Sequence, residues 1–277
     1  MNPSCPSFAR RLLAVALLPL LPAFVSATVP TSGLVGAYTM NNSSADSSGK
    51  GHNASTSGVT KTTNRFGTAS LAYYFNGSSS VLTIPDHDDF SVNTTGYLSI
   101  SVWVRPEGTS LNGSGELLYA AKQGSGYVHW MGKGNTSGAG GNREWSFRIY
   151  SADNTESPNR HNRMSFYHFS YDGGLGPGSY VQETLVNGGW IHYVAIISKP
   201  EHKIWWYKNT VLKDSDGFAS TDSYPIPDAD LRNGNAPVKM GSQDGGSYFK
   251  GAIDNVYFYN RKLTTTEISQ LYNDSTP

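Results

Sequence analysis

The sequence predicts an all-β protein, a sandwich or barrel of antiparallel strands with one short helix near the C-terminus. Most apolar segments alternate strictly between apolar and polar residues, the period of a strand with one buried face. Turn-forming residues, including 30 Gly, separate these segments at short intervals. Only Leu263–Asn273 (LTTTEISQLYN) has the pattern of a helix, with Thr264 or Thr265 as its N-cap and Glu267 in its first turn.

Residues 1–27 have the pattern of a secretory signal peptide. Arg10 and Arg11 precede an apolar run that ends in the small-residue sequence Val25-Ser26-Ala27. Pro interrupts the run, and it is shorter than the roughly 20 apolar residues of a membrane span. We therefore expect cleavage after Ala27, secretion to an extracellular location, and a single domain over residues 28–277. Cys5, the one cysteine, would leave with the signal, which excludes disulfides and cysteine catalysis from the remaining chain.

The composition excludes some classes of partner. The chain has 21 basic and 21 acidic residues in 277, so its formal charge gives no reason to expect nucleic acid or an anionic membrane surface as partner. Eight N-x-S/T sequons predict a glycoprotein if the source attaches N-glycans, and they would then lie on the surface. They are Asn41, Asn42, Asn53, Asn76, Asn93, Asn112, Asn135 and Asn273.

Strand candidates follow one another along the whole domain, with no break in composition that would mark a linker. They are GLVGAYTM (33–40), two strands around Asn76-Gly77, LSISVWVRP (98–106), GELLYAAKQ (115–123), YVHWMGK (127–133), EWSFRIY (144–150), RMSFYHF (163–169), SYVQE (179–183), WIHYVAIIS (190–198), HKIWWYKNTVL (202–212), PVKMGSQ (237–243) and GAIDNVYFYNR (251–261). GGLGPG (173–178) is predicted to be a tight loop at the rim of the sheet.

The stretch from Glu144 to Gln182 carries the candidate ligand-binding residues. If the apolar residues of its three alternating segments face a core, the opposite faces present polar and aromatic side chains. Tyrosine rings stack on sugar rings, and Arg and Gln donate hydrogen bonds, so this surface predicts glycan binding. An ordinary solvated sheet face remains the alternative. The candidates are Arg148, Tyr150, Arg163, Tyr167, Tyr180 and Gln182.

The C-terminal segment GAIDNVYFYNRKL (251–263), followed by Glu267, Ile268, Leu271 and Tyr272, resembles the closing strand and helix of laminin-G-like jelly rolls in the concanavalin A-like superfamily. The same family is resembled, in the same order, by GLVGAYTM with the loop that carries Asp46, Gly49 and His52, by LSISVWVRP, and by GGWIHYVAII followed by HKIWWYKNTVLKDS.

This resemblance implies a two-sheet antiparallel jelly-roll sandwich with ligands on a concave sheet. It also implies a structural calcium site, for which Asp46 and Asp254 stand at the corresponding places. The alternative is that Asp46 only caps a turn and Asp254 only pairs locally. Because this fold carries binding modules, adhesion domains and enzymes alike, the resemblance does not decide the function.

Two enzyme classes can be tested on the residues. A retaining glycosidase needs two carboxylates about 5–5.5 Å apart, as in an E-x-D-x-E strand, and the chain has no such pattern. A lyase of uronate polysaccharides needs Arg or Gln to neutralise the carboxylate and a base and an acid for β-elimination. Candidates for these roles are Arg163, Tyr167, Tyr180 and Gln182. Alternation places His168 and His192 on core faces, which favours a structural role for both.

The sequence thus predicts a secreted, lectin-like protein that binds an extracellular glycan or polysaccharide. The alternatives are a polysaccharide lyase acting on an acidic polymer and a non-catalytic adhesion or matrix module.

Overall fold

The computed structural model describes residue 1 and residues 28–121, 126–134, 142–156, 160–171, 175–181, 183–186, 188–217 and 231–275. Three predictions lie outside these residues: most of the signal peptide, the sequon at Asn135, and the binding residue Gln182.

Strands dominate the described residues. In chain order they are β1 (Leu34–Tyr38), β2 (Ser55–Ser57), β3 (Thr60–Thr62), β4 (Ala72–Asn76), β5 (Val81–Ile84), β6 (Tyr97–Pro106), β7 (Ser110–Leu111), β8 (Leu117–Leu118), β9 (Tyr127–Gly134), β10 (Arg143–Tyr150), β11 (Met164–Phe169), β12 (Leu175–Tyr180), β13 (Ile191–Ser198), β14 (Lys203–Lys208), β15 (Val211–Gly217), β16 (Val238–Met240) and β17 (Lys250–Tyr259). The helices are α1 (Val92–Thr95) and α2 (Thr265–Asn273), with a 3-10 turn at Asp88–Phe90.

Two large antiparallel sheets form the molecule. The eight-stranded sheet has the order β15-β14-β13-β6-β17-β4-β3, with β1 also paired to β17. The seven-stranded sheet has the order β12-β11-β10-β9-β16-β5-β2. Side chains from both sheets share one buried core, in which Ile100 and Val102 of β6 join Trp145 and Phe147 of β10. The predicted all-β, two-sheet antiparallel fold is confirmed.

The C-terminal helix is also confirmed. Thr264 is its N-cap, and the Thr264 and Glu267 side chains exchange hydrogen bonds with each other's backbone amides in a capping box. Ile268 and Leu271 are buried against Val194 and other apolar residues in a second core on the outer face of the eight-stranded sheet. The helix therefore packs on the outer face of the eight-stranded sheet, opposite the shared core.

Two segment predictions are wrong. Of the described residues 115–121, only Leu117–Leu118 lies in a strand, a two-residue pairing with β7. The segment predicted as a tight loop, GGLGPG, has its last four residues in β12 instead. Gly178 pairs with Tyr167 of β11, and a Cβ at Gly178 would lie 2.0 Å from the Tyr167 ring. Glycine is needed there because the tyrosine ring lies directly on the backbone of the neighbouring strand.

Smaller departures concern turns and helices. Residues 202–212 split into β14 and β15 at Asn209 and Thr210, which both adopt positive φ angles. The short helix α1, ended by Gly96 at φ 78°, is absent from the sequence prediction because four residues are too few to show helical periodicity. No helix within the described ranges has the length and hydropathy needed to cross a membrane.

Candidate functional site

The outer face of the seven-stranded sheet collects arginine and tyrosine side chains from four neighbouring strands. Along β10, Trp145, Phe147 and Ile149 enter the core, so Arg148 and Tyr150 point outward. Antiparallel pairing sets Arg148 opposite His129 of β9, and Tyr150 opposite Tyr127 of the same strand. On the other side β11 contributes Tyr167, and beyond it β12 contributes Tyr180. The strand register alone therefore brings these residues to one surface.

Arg148 lies at the centre of this group, between two aromatic rings. Its guanidinium carbon is 3.5 Å from the centre of the Tyr167 ring and 4.0 Å from that of Tyr127. Only 2% of the residue is exposed, and Nε has no hydrogen-bond partner. Among the described residues no carboxylate lies within ion-pair distance of it. Cation–π attraction offsets part of the cost of burial and is worth about 2 kcal/mol or more at desolvated sites.

The electrostatics of this group follow from burial. Burial lowers the pKa of the Arg148 guanidinium below its ordinary value, and the nearby Tyr167 and Tyr150 hydroxyls offset only part of that shift. Burial likewise raises the pKa of Tyr167, against the opposing effect of Arg148. The hydroxyls of Tyr150 and Tyr167 lie 2.8 Å apart. Burial thus favours the neutral form of the Tyr167 phenol beside the Arg148 guanidinium.

A second arginine forms the more exposed part of the group. Arg160 precedes β11, and its guanidinium carbon is 4.8 Å from the centre of the Tyr180 ring. Its Nη1 donates to the Tyr150 hydroxyl at 3.4 Å, and about a quarter of its side chain (26%) is exposed. Glu156, 3.5 Å away and itself 38% exposed, is the acidic residue it meets. We call Tyr127, Arg148, Tyr150, Arg160, Tyr167 and Tyr180 the arginine–tyrosine cluster.

Four of the six predicted ligand-binding residues belong to this cluster: Arg148, Tyr150, Tyr167 and Tyr180. The expectation that they form an open surface is wrong for the first three, which are 2%, 0% and 7% exposed. Gln182 lies outside the described residues. Arg163 also precedes β11, and its described hydrogen bond goes to the His161 carbonyl at 3.2 Å. Arg160, which the sequence prediction does not include, lies over the Tyr180 and Tyr150 rings.

The sequence prediction missed Tyr127, His129 and Arg160. The first two alternate with Val128 and Trp130, which enter the core, so their outward direction could be predicted from the period-two pattern. Arg160 lies in no strand, and nothing in its sequence context indicates that it folds back over Tyr150.

His129 is the imidazole next to the arginine–tyrosine cluster. It is buried, and its Nδ1 lies 3.4 Å from Oδ2 of Asp244. Burial lowers the pKa of His129, and the positive charge of Arg148 lowers it further, while Asp244 opposes both. Burial alone would raise the pKa of Asp244, but the adjacent His129 imidazole and hydrogen bonds from Ser247 hold it well below its ordinary range. The result is a neutral imidazole 3.4 Å from an ionised carboxylate, with no hydrogen bond to any described residue at its buried Nδ1.

Further along β9 and β10, a separate ionic group is fully satisfied by protein partners. Lys133 is completely buried, pairs with Glu144 and lies 2.9 Å from Asp86. Its Nζ also donates to the Gly234 carbonyl at 2.8 Å, and Ser91 donates to Glu144 at 2.5 Å. Because Lys133 already has two carboxylate partners, this group offers no unpaired cation to an acidic ligand.

The two histidines predicted to be structural are buried as expected. Burial lowers the pKa of His168 to about 4 and that of His192 to about 3. His192 lies 2.8 Å from the Ser101 hydroxyl and 5.0 Å, ring to ring, from Trp103, beneath the C-terminal helix. Neither belongs to the arginine–tyrosine cluster.

Asp46 and Asp254 do not fit a shared calcium site. Oδ1 of Asp46 accepts from the Ala37 and Ser48 amides, and Oδ2 accepts from the Ser48 hydroxyl and the His52 amide, at 2.8–3.0 Å. These four donors occupy the four lone-pair sites of the carboxylate. Oδ2 of Asp254 pairs with Nη1 of Arg65 at 3.0 Å. Each aspartate already has protein partners.

Solved structures with the same fold include several binding domains. The receptor-binding domain of a botulinum neurotoxin C/D mosaic serotype is 12% identical with a TM-score of 0.60, and the match covers 89% of this chain and 52% of that one. The binding domain of Paraclostridial Mosquitocidal Protein 1 is 15% identical with a TM-score of 0.59, covering 87% and 52%. This chain thus spans about half the length of the toxin domains. Identities this low demonstrate shared fold alone.

A third similar structure is matched over nearly its whole length. Domain 4 of AbnA, an extracellular GH43 arabinanase from Geobacillus stearothermophilus solved in complex with arabinotriose, is 22% identical with a TM-score of 0.51, covering 87% of this chain and 98% of that one.

No curated protein sequence matches the chain significantly. The family model Laminin_G_3 matches residues 75–269, which includes the strands of the arginine–tyrosine cluster and most of the C-terminal helix. The resemblance drawn from the C-terminal motif is thereby confirmed, and the chain belongs to the Laminin_G_3 family of the concanavalin A-like lectin/glucanases superfamily.

Proposed function

We propose that the protein is a secreted carbohydrate-binding protein whose ligand is an acidic glycan held at the arginine–tyrosine cluster. The observation that carries the proposal is Arg148, a buried cation with no carboxylate partner among the described residues. A buried charge normally has an opposite charge beside it. A carboxylate on the ligand would supply the missing negative charge.

The more exposed members of the cluster would contact the sugar itself. Tyr127 and Tyr180 are both partly exposed, and their rings can stack on the apolar face of a pyranose. Arg160 can donate to a ligand carboxylate with the fork geometry that makes Arg–carboxylate pairs strong. Arg148, below, would add its charge in a low-dielectric setting, where electrostatic attraction is stronger than in water.

Two similar structures are of proteins reported with a glycan ligand. One is the arabinanase domain solved with arabinotriose. Another comes from a study reporting that cell entry of botulinum neurotoxin type C depends on two ganglioside molecules. Both are glycan-related, and neither identifies the sugar for this chain. The family resemblance predicts a ligand on a concave sheet, and we assign that role to the face that carries the arginine–tyrosine cluster.

Affinity electrophoresis of the full chain in gels containing alginate, polygalacturonate or neutral arabinan tests the proposal. We expect retention in at least one of the two acidic gels, none in arabinan, and loss of retention in the Arg160→Met variant, which keeps the aliphatic stem and removes the charge. Arg105→Met is the matched control, because Arg105 lies on the other sheet beside Glu107 and Trp190. Equal retention of wild type and Arg160→Met, or no retention of wild type, would refute the assignment.

A lyase is the second candidate, and His129 is the observation that favours it. A neutral imidazole beside Arg148, with tyrosine hydroxyls nearby, supplies the residue types that β-elimination from a uronate requires. Arg148 would neutralise the carboxylate, His129 would accept the C5 proton, and a tyrosine hydroxyl would protonate the leaving oxygen. Ultraviolet absorbance of an unsaturated product decides the matter. A binding protein gives none, whereas a lyase gives product that His129→Gln abolishes while retention persists.

Secretion and N-glycosylation are part of the proposal. Of the seven sequon asparagines that the structure describes, none is buried, and Asn42, Asn53, Asn76 and Asn273 are exposed. N-terminal sequencing of secreted protein should begin at Thr28. A start at Met1 would contradict the signal-peptide assignment.

A further inference from the structure

Three side chains with metal-binding atoms meet at the surface, away from the arginine–tyrosine cluster. His52 lies in the loop between β1 and β2, and His87 and Asp89 lie in the turn after β5. Nε2 of His52 is 2.9 Å from Oδ2 of Asp89, and Nδ1 of His87 is 3.3 Å from the same oxygen. The ligand atoms of all three residues lie within 4.8 Å of one another.

Nδ1 of His87 lies close to Oδ2 of Asp89, and a hydrogen bond between these two atoms cannot account for the contact. The Asp89 amide donates to Nδ1 of His87 at 3.2 Å. A ring nitrogen that accepts a hydrogen bond carries no proton, so Nδ1 cannot also donate to the Asp89 carboxylate. Two electron-rich atoms thus face each other at 3.3 Å. A cation between them would make this contact attractive.

The spacing is that of ligands around a small cation. Zinc bonds of about 2.0–2.2 Å in tetrahedral geometry place ligand atoms about 3.3–3.6 Å apart. The two Asp89 contacts, 2.9 and 3.3 Å, are close to that range, and the two imidazole nitrogens, within 4.8 Å of each other, would have to move to reach it. Binding would replace the hydrogen bond from the Asp89 amide and displace any proton shared by His52 and Asp89.

Exposure decreases from the outer ligand to the inner one. The side chains of His87, Asp89 and His52 are 50%, 24% and 11% exposed. The inner imidazole is fixed by ring contacts with His87 at 4.2 Å and Phe90 at 5.1 Å, and its backbone amide donates to Asp46. An ion can therefore enter from solvent, be held on the inner side, and keep one coordination position open.

We propose that His52, His87 and Asp89 form a zinc-binding site with one position open to water or to a ligand oxygen. Two imidazoles and one carboxylate match the ligands of zinc, whereas calcium and magnesium take oxygen ligands. The bound ion would tie the loop between β1 and β2 to the turn after β5. This site is independent of the proposed glycan binding.

Isothermal titration calorimetry of the full, tag-free chain with zinc chloride tests the proposal. We expect one zinc per chain and no comparable binding of calcium. His87→Asn should weaken zinc binding more than about tenfold, since loss of even an outer partner of a metal ligand costs 10–100-fold. Asparagine retains a side-chain acceptor for the Asp89 amide, so the turn is preserved. Asp89→Asn, which keeps the side-chain shape, should have the same effect.

His202→Asn is the matched control, because His202 is exposed, lies in another turn and has a φ of 49°, which asparagine tolerates. It should bind zinc as wild type does. The proposal is overturned if wild type binds no zinc, if His87→Asn and Asp89→Asn both bind it with wild-type affinity, or if His202→Asn alone loses it. Circular dichroism of each variant separates loss of a ligand from loss of fold.

Discussion

At the scale of single residues, burial of the Arg148 guanidinium costs folding free energy, and its contacts with neighbouring rings offset only part of that cost. Its guanidinium is desolvated, its Nε is unpaired, and two tyrosine rings rather than a carboxylate surround it. Replacing a buried charge by an apolar side chain of similar volume is often neutral or stabilising. If stability does not require Arg148, the proposed ligand carboxylate would account for a buried arginine at this position.

Arg148→Met should therefore leave the melting temperature unchanged or raise it, while retention on acidic glycan is lost. Methionine is flexible and packs well against aromatic rings. Thermal unfolding and affinity electrophoresis of the same preparation measure both effects, with Arg105→Met as control. Destabilisation by more than about 2 kcal/mol, the range of a disrupted core, would mean that Arg148 is structural.

The two buried histidines predict how stability depends on pH. Their folded-state pKa values, about 4 for His168 and about 3 for His192, lie below the unfolded value of about 6.5. Below pH 6.5 the unfolded chain binds protons that the folded chain excludes. The stabilising contribution is thus fully present above about pH 6.5 and is lost as the pH falls toward 4. Each histidine contributes a slope of up to about 1.4 kcal/mol per pH unit.

Urea unfolding at pH 7 and pH 5 measures this loss. His192→Gln removes one of the two titrating groups, and its amide nitrogen can replace Nε2 beside Ser101. This variant should lose less stability than wild type between the two pH values. An identical loss in both proteins would show that His192 does not contribute.

At the scale of elements, the site depends on how closely β12 approaches β11. Tyr167 lies directly over Gly178, and Tyr167 in turn stacks on Arg148. Gly178→Ala should displace the Tyr167 ring, destabilise the protein by about 1–3 kcal/mol as overpacking does, and weaken glycan binding. Gly189→Ala is the matched control, since a Cβ there meets nothing within 4 Å. If Gly178→Ala binds glycan as tightly as Gly189→Ala, then Tyr167 is not needed at its present position.

The sequence predicts which side chains of this sheet point outward, but it does not predict which residues pack over them. Alternation along β10 and β11 correctly assigns Arg148, Tyr150 and Tyr167 to one face, because the side-chain period of a strand is fixed by its geometry. Alternation says nothing about what lies over that face, so the burial of these residues is not predictable from it. Arg160 reaches the cluster from outside any strand, where no periodicity applies.

At the scale of the whole molecule, the outer faces of the two sheets differ in the side chains they carry. The eight-stranded sheet is closed on its outer face by the C-terminal helix and its buried apolar contacts. The seven-stranded sheet carries on its outer face the unpaired positive charge and the aromatic rings. The family motifs at the C-terminus predict the first arrangement, which belongs to the fold. The side chains on the outer face of the seven-stranded sheet can differ between proteins of one fold, so the family motifs do not predict the arginine–tyrosine cluster.

The central claim, recognition of a ligand carboxylate by the arginine–tyrosine cluster, is tested most directly by titrating the full chain with oligomers of alginate and of polygalacturonate. Each oligomer is compared with the same oligomer after chemical reduction of its carboxyl groups, so that only the charge differs. We expect at least one acidic oligomer to bind and its reduced form to bind about tenfold more weakly or worse, since a hydrogen bond to a charged group is worth about 1.5–3 kcal/mol. Equal affinity for the two forms, or binding of neither form of either oligomer, would contradict the account.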